Sequence, residues 1–212
     1  MHVHVFVSAT IVQLFVVHLT TVFGSCSAPS PHVVNSNQIP DYYWKEYIGI
    51  IPQDAVEGGT DAVGNPTYVG QAYIQKYELL PGFITIGCKT LTTVAYALEL
   101  TPNENVKILC ARDKRKFEWV PTKKEDLHML IGRHFVVGGS EVGKTLYIGR
   151  VHYENRIIVG KFFNSVPLVN YGLAIPYQGK PVNFNSFEVL TYNVSKYGDE
   201  TIPVPCIDVR SQ

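Results

Sequence analysis

The sequence predicts an all-β protein, on three observations. Apolar and polar residues alternate with period two over short runs rich in β-branched and aromatic side chains, which puts alternate residues on opposite faces of a strand. Clusters of Gly, Asn and Pro, residues that favour turns, separate these runs. The chain also repeats itself. The segment AVEGGTDAVGNPTYVGQAYIQKYELLPGF, from Ala55 to Phe83, lines up with FVVGGSEVGKTLYIGRVHYENRIIVGK, from Phe135 to Lys161. Gly58-Gly59 matches Gly138-Gly139, Tyr68-Val69-Gly70 matches Tyr147-Ile148-Gly149, and Pro81-Gly82 matches Val159-Gly160. Each copy opens near a tryptophan, Trp44 or Trp119, and closes on a short apolar strand, VKIL or FEVL. Internal self-similarity of this kind marks a repeat architecture.

In chain order, residues 1–24 read as a secretory signal peptide: the apolar run VFVSATIVQLFVVHLTTVF ends in Gly24 and Ser25, and the first Asp, Glu, Lys or Arg of the chain is Asp41. No Lys or Arg precedes the apolar run, so an uncleaved anchor stays open beside cleavage near Gly24 to Cys26, about twenty apolar residues being just enough to span a bilayer. Residues 25–40 form a polar, Pro-containing leader. The first repeat occupies 41–112, with strands expected at PTYVGQAYI, YELLPGFITI, VAYALEL and NVKIL. The second occupies 117–193, with strands at TLYIGRVHY, RIIVGKFF, GLAIPY and SFEVLTYNV. Thr122 to Glu125 has capping-box spacing and announces one or two helical turns. Residues 194–212 are a tail that could cover a sheet edge.

A chain of 212 residues with 46% hydrophobic and 12% aromatic residues can bury a sizeable core. Its 18 basic and 18 acidic residues cancel, which gives no electrostatic footprint for nucleic acid. No nucleophile, base and orienting acid assemble from spacing, so neither an enzyme nor a cofactor is expected. Cys26, Cys88, Cys110 and Cys206 have no C-x-x-C spacing and no neighbouring His pair, so they do not suggest a metal site. In an exported chain they would be oxidised, and four cysteines permit three pairings. Cys88 with Cys110 is the favoured one, and closing that loop is worth about 3 kcal/mol on the chain-entropy model. Asn193-Val194-Ser195 is a glycosylation sequon, with Asn193 as the acceptor.

GGSEVGKT, residues 138–145, satisfies the phosphate-loop spacing G-x-x-x-x-G-K-[ST]. A phosphate loop needs a helix N-terminus after it, yet LYIGRVHY follows and alternates as a strand. The matching loop of the first repeat, GGTDAVGNPT, has no Gly-Lys pair. The stretch is therefore read as a glycine-rich β-turn, and no nucleotide is expected. Gly58, Gly59, Gly138 and Gly139 are expected to serve the backbone through positive φ.

The aligned residues resemble the DM9-repeat family, whose pattern runs A-V-x-G-G-x-D, [YF]-[VI]-G-R-A, P-G-K, [VI]-P-Y-x-G-K-E and Y-E-V-L. This chain has Ala55 to Asp61, Tyr147 to Val151, Val159-Gly160-Lys161, Ile175 to Lys180 and Phe187 to Leu190 in those places. The resemblance implies two tandem repeats in a pseudo-two-fold antiparallel β architecture that permits strands to be exchanged between repeats. It also implies mannose-type glycan recognition in invertebrate host defence, with the sugar held by the carboxylate of G-G-x-D and the lysine of P-G-K. A carboxylate accepts vicinal hydroxyls while an ammonium donates to others.

Carried over residue by residue, neither repeat is a complete copy. The first keeps Asp61 but has Phe83 at the lysine position and Gln71 at the arginine position. The second keeps Arg150 and Lys161 but has Glu141 in place of Asp. The expected sugar ligands are thus Glu141 and Lys161 first, then Asp61 and Arg150. Beside this stand plainer roles: Asp61 and Glu141 at positions where an acidic residue caps its own turn, Lys161 as a solvated strand charge, and Arg150 paired to a carboxylate across the sheet. The function expected is a secreted glycan-binding protein acting as a homodimer or higher assembly. The alternative is a secreted structural or host-interaction protein whose sugar site has degenerated.

Overall fold

The computed structural model describes residues 41–130, 132–164 and 172–193. The signal peptide, the leader and the tail beyond Asn193 lie outside the described residues, as do Cys26 and Cys206. In order, the chain forms β1 (Tyr42–Glu46), β2 (Glu57–Thr60), β3 (Pro66–Ile74), β4 (Glu78–Thr85), β5 (Leu91–Ala95), β6 (Leu98–Leu100), β7 (Val106–Ala111), β8 (Phe117–Lys123), β9 (His134–Phe135), β10 (Val137–Glu141), β11 (Lys144–Tyr153), β12 (Arg156–Phe163), β13 (Leu173–Tyr177), β14 (Lys180–Phe184) and β15 (Ser186–Tyr192). The protein is all-β, and its strands pair antiparallel. Two short 3-10 turns, Lys114–Lys116 and Lys124–Met129, complete the described elements.

β3 and β12 coincide with PTYVGQAYI and RIIVGKFF. Three expectations need correction. VAYALEL is not one strand but a hairpin, β5 and β6, reversed at Tyr96 and Ala97. GGSE belongs to a strand, β10, and only Val142-Gly143 turns. The capping box is not made: Thr122 lies in β8, its hydroxyl donates to the Lys123 carbonyl at 3.2 Å, and the 3-10 turn starts at Lys124 without a side-chain cap.

The register makes the two repeats equivalent. Trp44 on β1 faces Leu109 on β7, as Trp119 on β8 faces Leu190 on β15. Gly70 faces Gly82 across β3 and β4, as Gly149 faces Gly160 across β11 and β12. The short strands are exchanged. β2 of the first repeat pairs β12 of the second through Thr60 and Ile157. β10 of the second pairs β4 of the first through Ser140 and Leu79. The second pairing is the first with the repeats interchanged.

That exchange explains the Gly-Gly pairs differently from the positive φ expected. Of the four, only Gly139 has a positive φ, at 158°, close to extended backbone. What the sites require is close approach. A Cβ at Gly59 would run into the Ile157 carbonyl, and one at Gly139 into the Leu79 carbonyl. A missing side chain lets backbones of different repeats meet.

The core follows the same plan. Val56, Val69 and Leu109 of the first repeat pack in one cluster with Val136, Ile148 and Leu190 of the second. Each repeat has its own lateral cluster: Ala55, Ile84, Leu91 and Val106 in the first, and their register equivalents Phe135, Phe162, Leu173 and Phe187 in the second. Three aliphatic positions thus become phenylalanines, a larger apolar area removed from water.

The expected Cys88–Cys110 disulfide is absent; both thiols are free. Cys110 is fully buried on β7 within the first repeat's cluster, and burial, reinforced by the Asp54 carboxylate, pushes its thiol up to about 11. Cys88 is exposed on the β4–β5 connection, where its carbonyl accepts a hydrogen bond from the Tyr47 hydroxyl at 2.7 Å.

Candidate functional site

The β10–β11 hairpin closes through two residues, Val142 and Gly143, with φ of 52° and 68°, which keeps Glu141 and Lys144 paired in the ladder. The Gly143 N–H donates to the Glu78 carboxylate at 3.0 Å, so a side chain of the first repeat pins the turn of the second. Glu141 is thereby held in regular strand, 7% exposed. Lys161 on β12 is 5% exposed, and its ammonium donates to Glu141 Oε2 at 2.6 Å. That bond engages one of three ammonium donors and one of two carboxylate oxygens. Burial lowers the Lys161 pKa from its ordinary 10.5, against the opposing attraction of Glu141.

The pair lies on the wall of a cavity of about 360 Å³, lined also by Val94, Tyr96, Val142, Phe163 and Asn183. Val94 and Tyr96 come from the first repeat and the others from the second. Two joined polar groups with unused hydrogen-bonding capacity, set in a mainly apolar cavity, suit a small ligand rich in hydroxyl groups.

In the first repeat the equivalent groups do not meet. Five residues, 61 to 65, join β2 and β3, where two join β10 and β11. Asp61 begins that loop and caps it. Its Oδ1 accepts from the N–H groups of Val63 and Asn65 at 3.0 and 2.8 Å, and its Oδ2 from the Asn65 side-chain amide at 3.0 Å. These bonds, the Asn65 amide foremost, hold the Asp61 carboxyl below its usual pKa. Phe83, at the lysine position, packs against the core.

Arg150 serves the sheet. Its Nε donates to Glu188 Oε2 at 2.6 Å, its Nη1 to the Gly58 carbonyl at 3.3 Å, and its guanidinium lies 4.3 Å from the Trp119 ring centroid. The first repeat has Gln71 opposite Lys107 in that register. Arg150 therefore joins the repeats and stands apart from the Glu141–Lys161 cavity. No group of three or more His, Cys, Asp or Glu side chains among the described residues is placed to hold a metal ion.

A family model for the DM9 repeat matches residues 76–184, more than half of the chain. The chain belongs to the DM9-repeat family. The matched span runs from just before β4 into β14, so it takes in Glu141, Lys161 and the cavity walls but not Asp61. Among solved structures, the DM9 chain is similar to the nematode sperm cell motility protein MFP2B, with a TM-score of 0.51 and 12% sequence identity. The similarity covers 80% of this chain and 51% of that one. The chain thus spans about half the length of that protein, and the likeness is one of fold. No curated protein sequence matches it.

Tyr96, Val142, Phe163 and Asn183 are cavity residues that the sequence did not point out. Their positions depend on strand exchange and on the β5–β6 reversal, and no spacing in the sequence brings them together.

Proposed function

We propose that this DM9 protein is an exported carbohydrate-recognition protein that binds mannose-type glycans through the Glu141–Lys161 cavity, in host defence or host–microbe interaction. The observation that carries this reading is the 2.6 Å contact between Lys161 Nζ and Glu141 Oε2 on the wall of a ligand-sized cavity. A sugar's hydroxyls both donate and accept. The second carboxylate oxygen can accept from one hydroxyl while the remaining ammonium protons donate to its neighbour, with charge-assisted bonds at each. Since both charges are already out of water and neutralise one another, a neutral ligand adds little further charge desolvation. A small cavity gives modest affinity per site, so useful avidity calls for a homodimer or larger assembly.

Export is supported by the apolar N-terminal segment and the Asn193 sequon, whose asparagine is exposed just past β15. Intact mass of material secreted from a eukaryotic host, before and after enzymatic deglycosylation, measures both.

The test is a glycan array on purified protein beside Lys161→Ala. The expected outcome is binding of mannose-containing glycans that the variant loses. A wild-type protein that binds none contradicts the reading and leaves the alternative, a secreted structural or host-interaction protein with a degenerate sugar site. The capped Asp61 and the partly buried Phe83 fit that alternative in the first repeat, and the intact Glu141–Lys161 pair argues against it in the second.

A further inference from the structure

Two residues of the cavity have backbone conformations that their side chains disfavour. Tyr96 and Val142 have φ of 50° and 52°. Each is the first residue of a two-residue hairpin turn, between the paired Ala95 and Leu98 and between the paired Glu141 and Lys144. That position favours Asn, Asp or Gly, and a bulky or β-branched residue there is an outlier. Both side chains are also largely in solvent, 70% exposed for Tyr96 and 66% for Val142. Neither burial nor turn preference explains them. Two other two-residue turns place polar residues at this position with the same conformation, Gln178 between β13 and β14 and Glu154 between β11 and β12, with φ of 51° and 50°. What distinguishes Tyr96 and Val142 is that both line the cavity holding Glu141 and Lys161. Tyr96 is further braced by the Tyr77 ring, 5.6 Å away between centroids.

We propose that Tyr96 and Val142 form an apolar clamp contributed by both repeats, which selects neutral pyranosides by receiving a C–H face of the sugar ring while Glu141 and Lys161 take its hydroxyls. This rests on the reading of the cavity as a sugar site. Backbone strain at a ligand site, maintained by the surrounding fold, is the pattern expected where function places the side chain. The charge balance gives the selectivity for neutral sugars. Among the described residues Lys161 is the only cation lining the cavity, and Glu141 already neutralises it at 2.6 Å. A uronic acid would bring a carboxylate towards Glu141 with no free cation among the described lining residues to receive it.

The test is calorimetric titration of methyl α-mannopyranoside and of a methyl uronopyranoside into the full-length protein, Tyr96→Asn and Val142→Asn, with thermal melting of each. Asn suits positive φ, so both variants keep or raise the melting temperature, while mannoside affinity falls roughly five- to tenfold for Tyr96→Asn as an aromatic contact is lost. A loss of stability in step with affinity would make these residues structural and overturn the clamp. Wild-type affinity in both variants, with binding still abolished by Lys161→Met, overturns the clamp but leaves the sugar site standing. Tighter binding of the uronoside overturns the selectivity. No binding of either sugar by the wild-type protein removes the sugar site and the clamp with it.

Discussion

The two repeats share a strand framework and differ in chemistry. Their strand registers superpose pair by pair, including the exchanged contacts of Thr60 with Ile157 and Ser140 with Leu79. Yet only the second repeat brings a carboxylate and an ammonium together. The difference comes down to two local changes. One is turn length: a two-residue turn keeps Glu141 in the strand and aimed at Lys161, whereas a five-residue loop uses Asp61 as its own cap. The other is Phe83 for Lys161, which gives that position to the core. A symmetric fold can therefore carry an asymmetric site, since glycine contacts and apolar packing set the fold while a turn sets the site.

The largest expected effect tests the shared part. Gly59→Ala and Gly139→Ala each push a Cβ into a carbonyl of the other repeat, and each should cost more than about 3 kcal/mol in chemical denaturation. Similar losses from the two variants support equivalent exchange; tolerance of one would break the equivalence.

Next come the changes that separate the repeats. Glu141→Ala strands a buried ammonium, at about 3–5 kcal/mol, whereas Asp61→Ala removes only an exposed turn cap. Glu141→Leu with Lys161→Met should recover most of the lost stability, because a buried ion pair is replaced by apolar groups of similar size, and should still bind no sugar. Arg150→Gln, which copies Gln71 of the first repeat, breaks a partly exposed pair with Glu188. It should cost about 1 kcal/mol or less and leave sugar binding intact.

The pH dependence has a definite sign. The Lys161 pKa is lowered on folding, so between its folded value and the ordinary 10.5 the unfolded chain holds more protons at this site. Lys161 by itself therefore destabilises the fold at neutral pH, and stability rises with pH through that window. The proposed sugar binding uses the ammonium, so its alkaline decline should begin below pH 10.5; titrations at several pH values measure where. The smallest effect concerns the thiols. Peptide mapping after alkylation at neutral pH should find Cys88 modified in native protein and Cys110 only after unfolding, the latter being buried with a pKa near 11.

Much of this was legible in the sequence. Period-two alternation located β3 and β12, the internal repeat gave the equivalent positions, and the strand after GGSEVGKT excluded a phosphate loop. The pairing of Glu141 with Lys161 followed from the family resemblance, and the cross-sheet role of Arg150 from its mid-strand position. Other features depend on contacts distant in sequence. Gly59 and Gly139 are shaped by carbonyls of the opposite repeat, which no local pattern encodes. Tyr96 sits in an apolar alternating run that gives no hint of reversal, and its side chain is the wrong type for its turn. The Cys88–Cys110 pairing rests on cysteine number and loop length alone, whereas the fold leaves Cys110 buried on β7 and Cys88 exposed on the β4–β5 connection, each with a free thiol.

The central claim is that the second repeat alone supplies the polar sugar contacts. Titration of methyl α-mannopyranoside into wild type, Glu141→Gln and Asp61→Asn tests it directly. Wild-type affinity is expected in Asp61→Asn and loss of binding in Glu141→Gln; loss in Asp61→Asn with retention in Glu141→Gln would contradict that assignment.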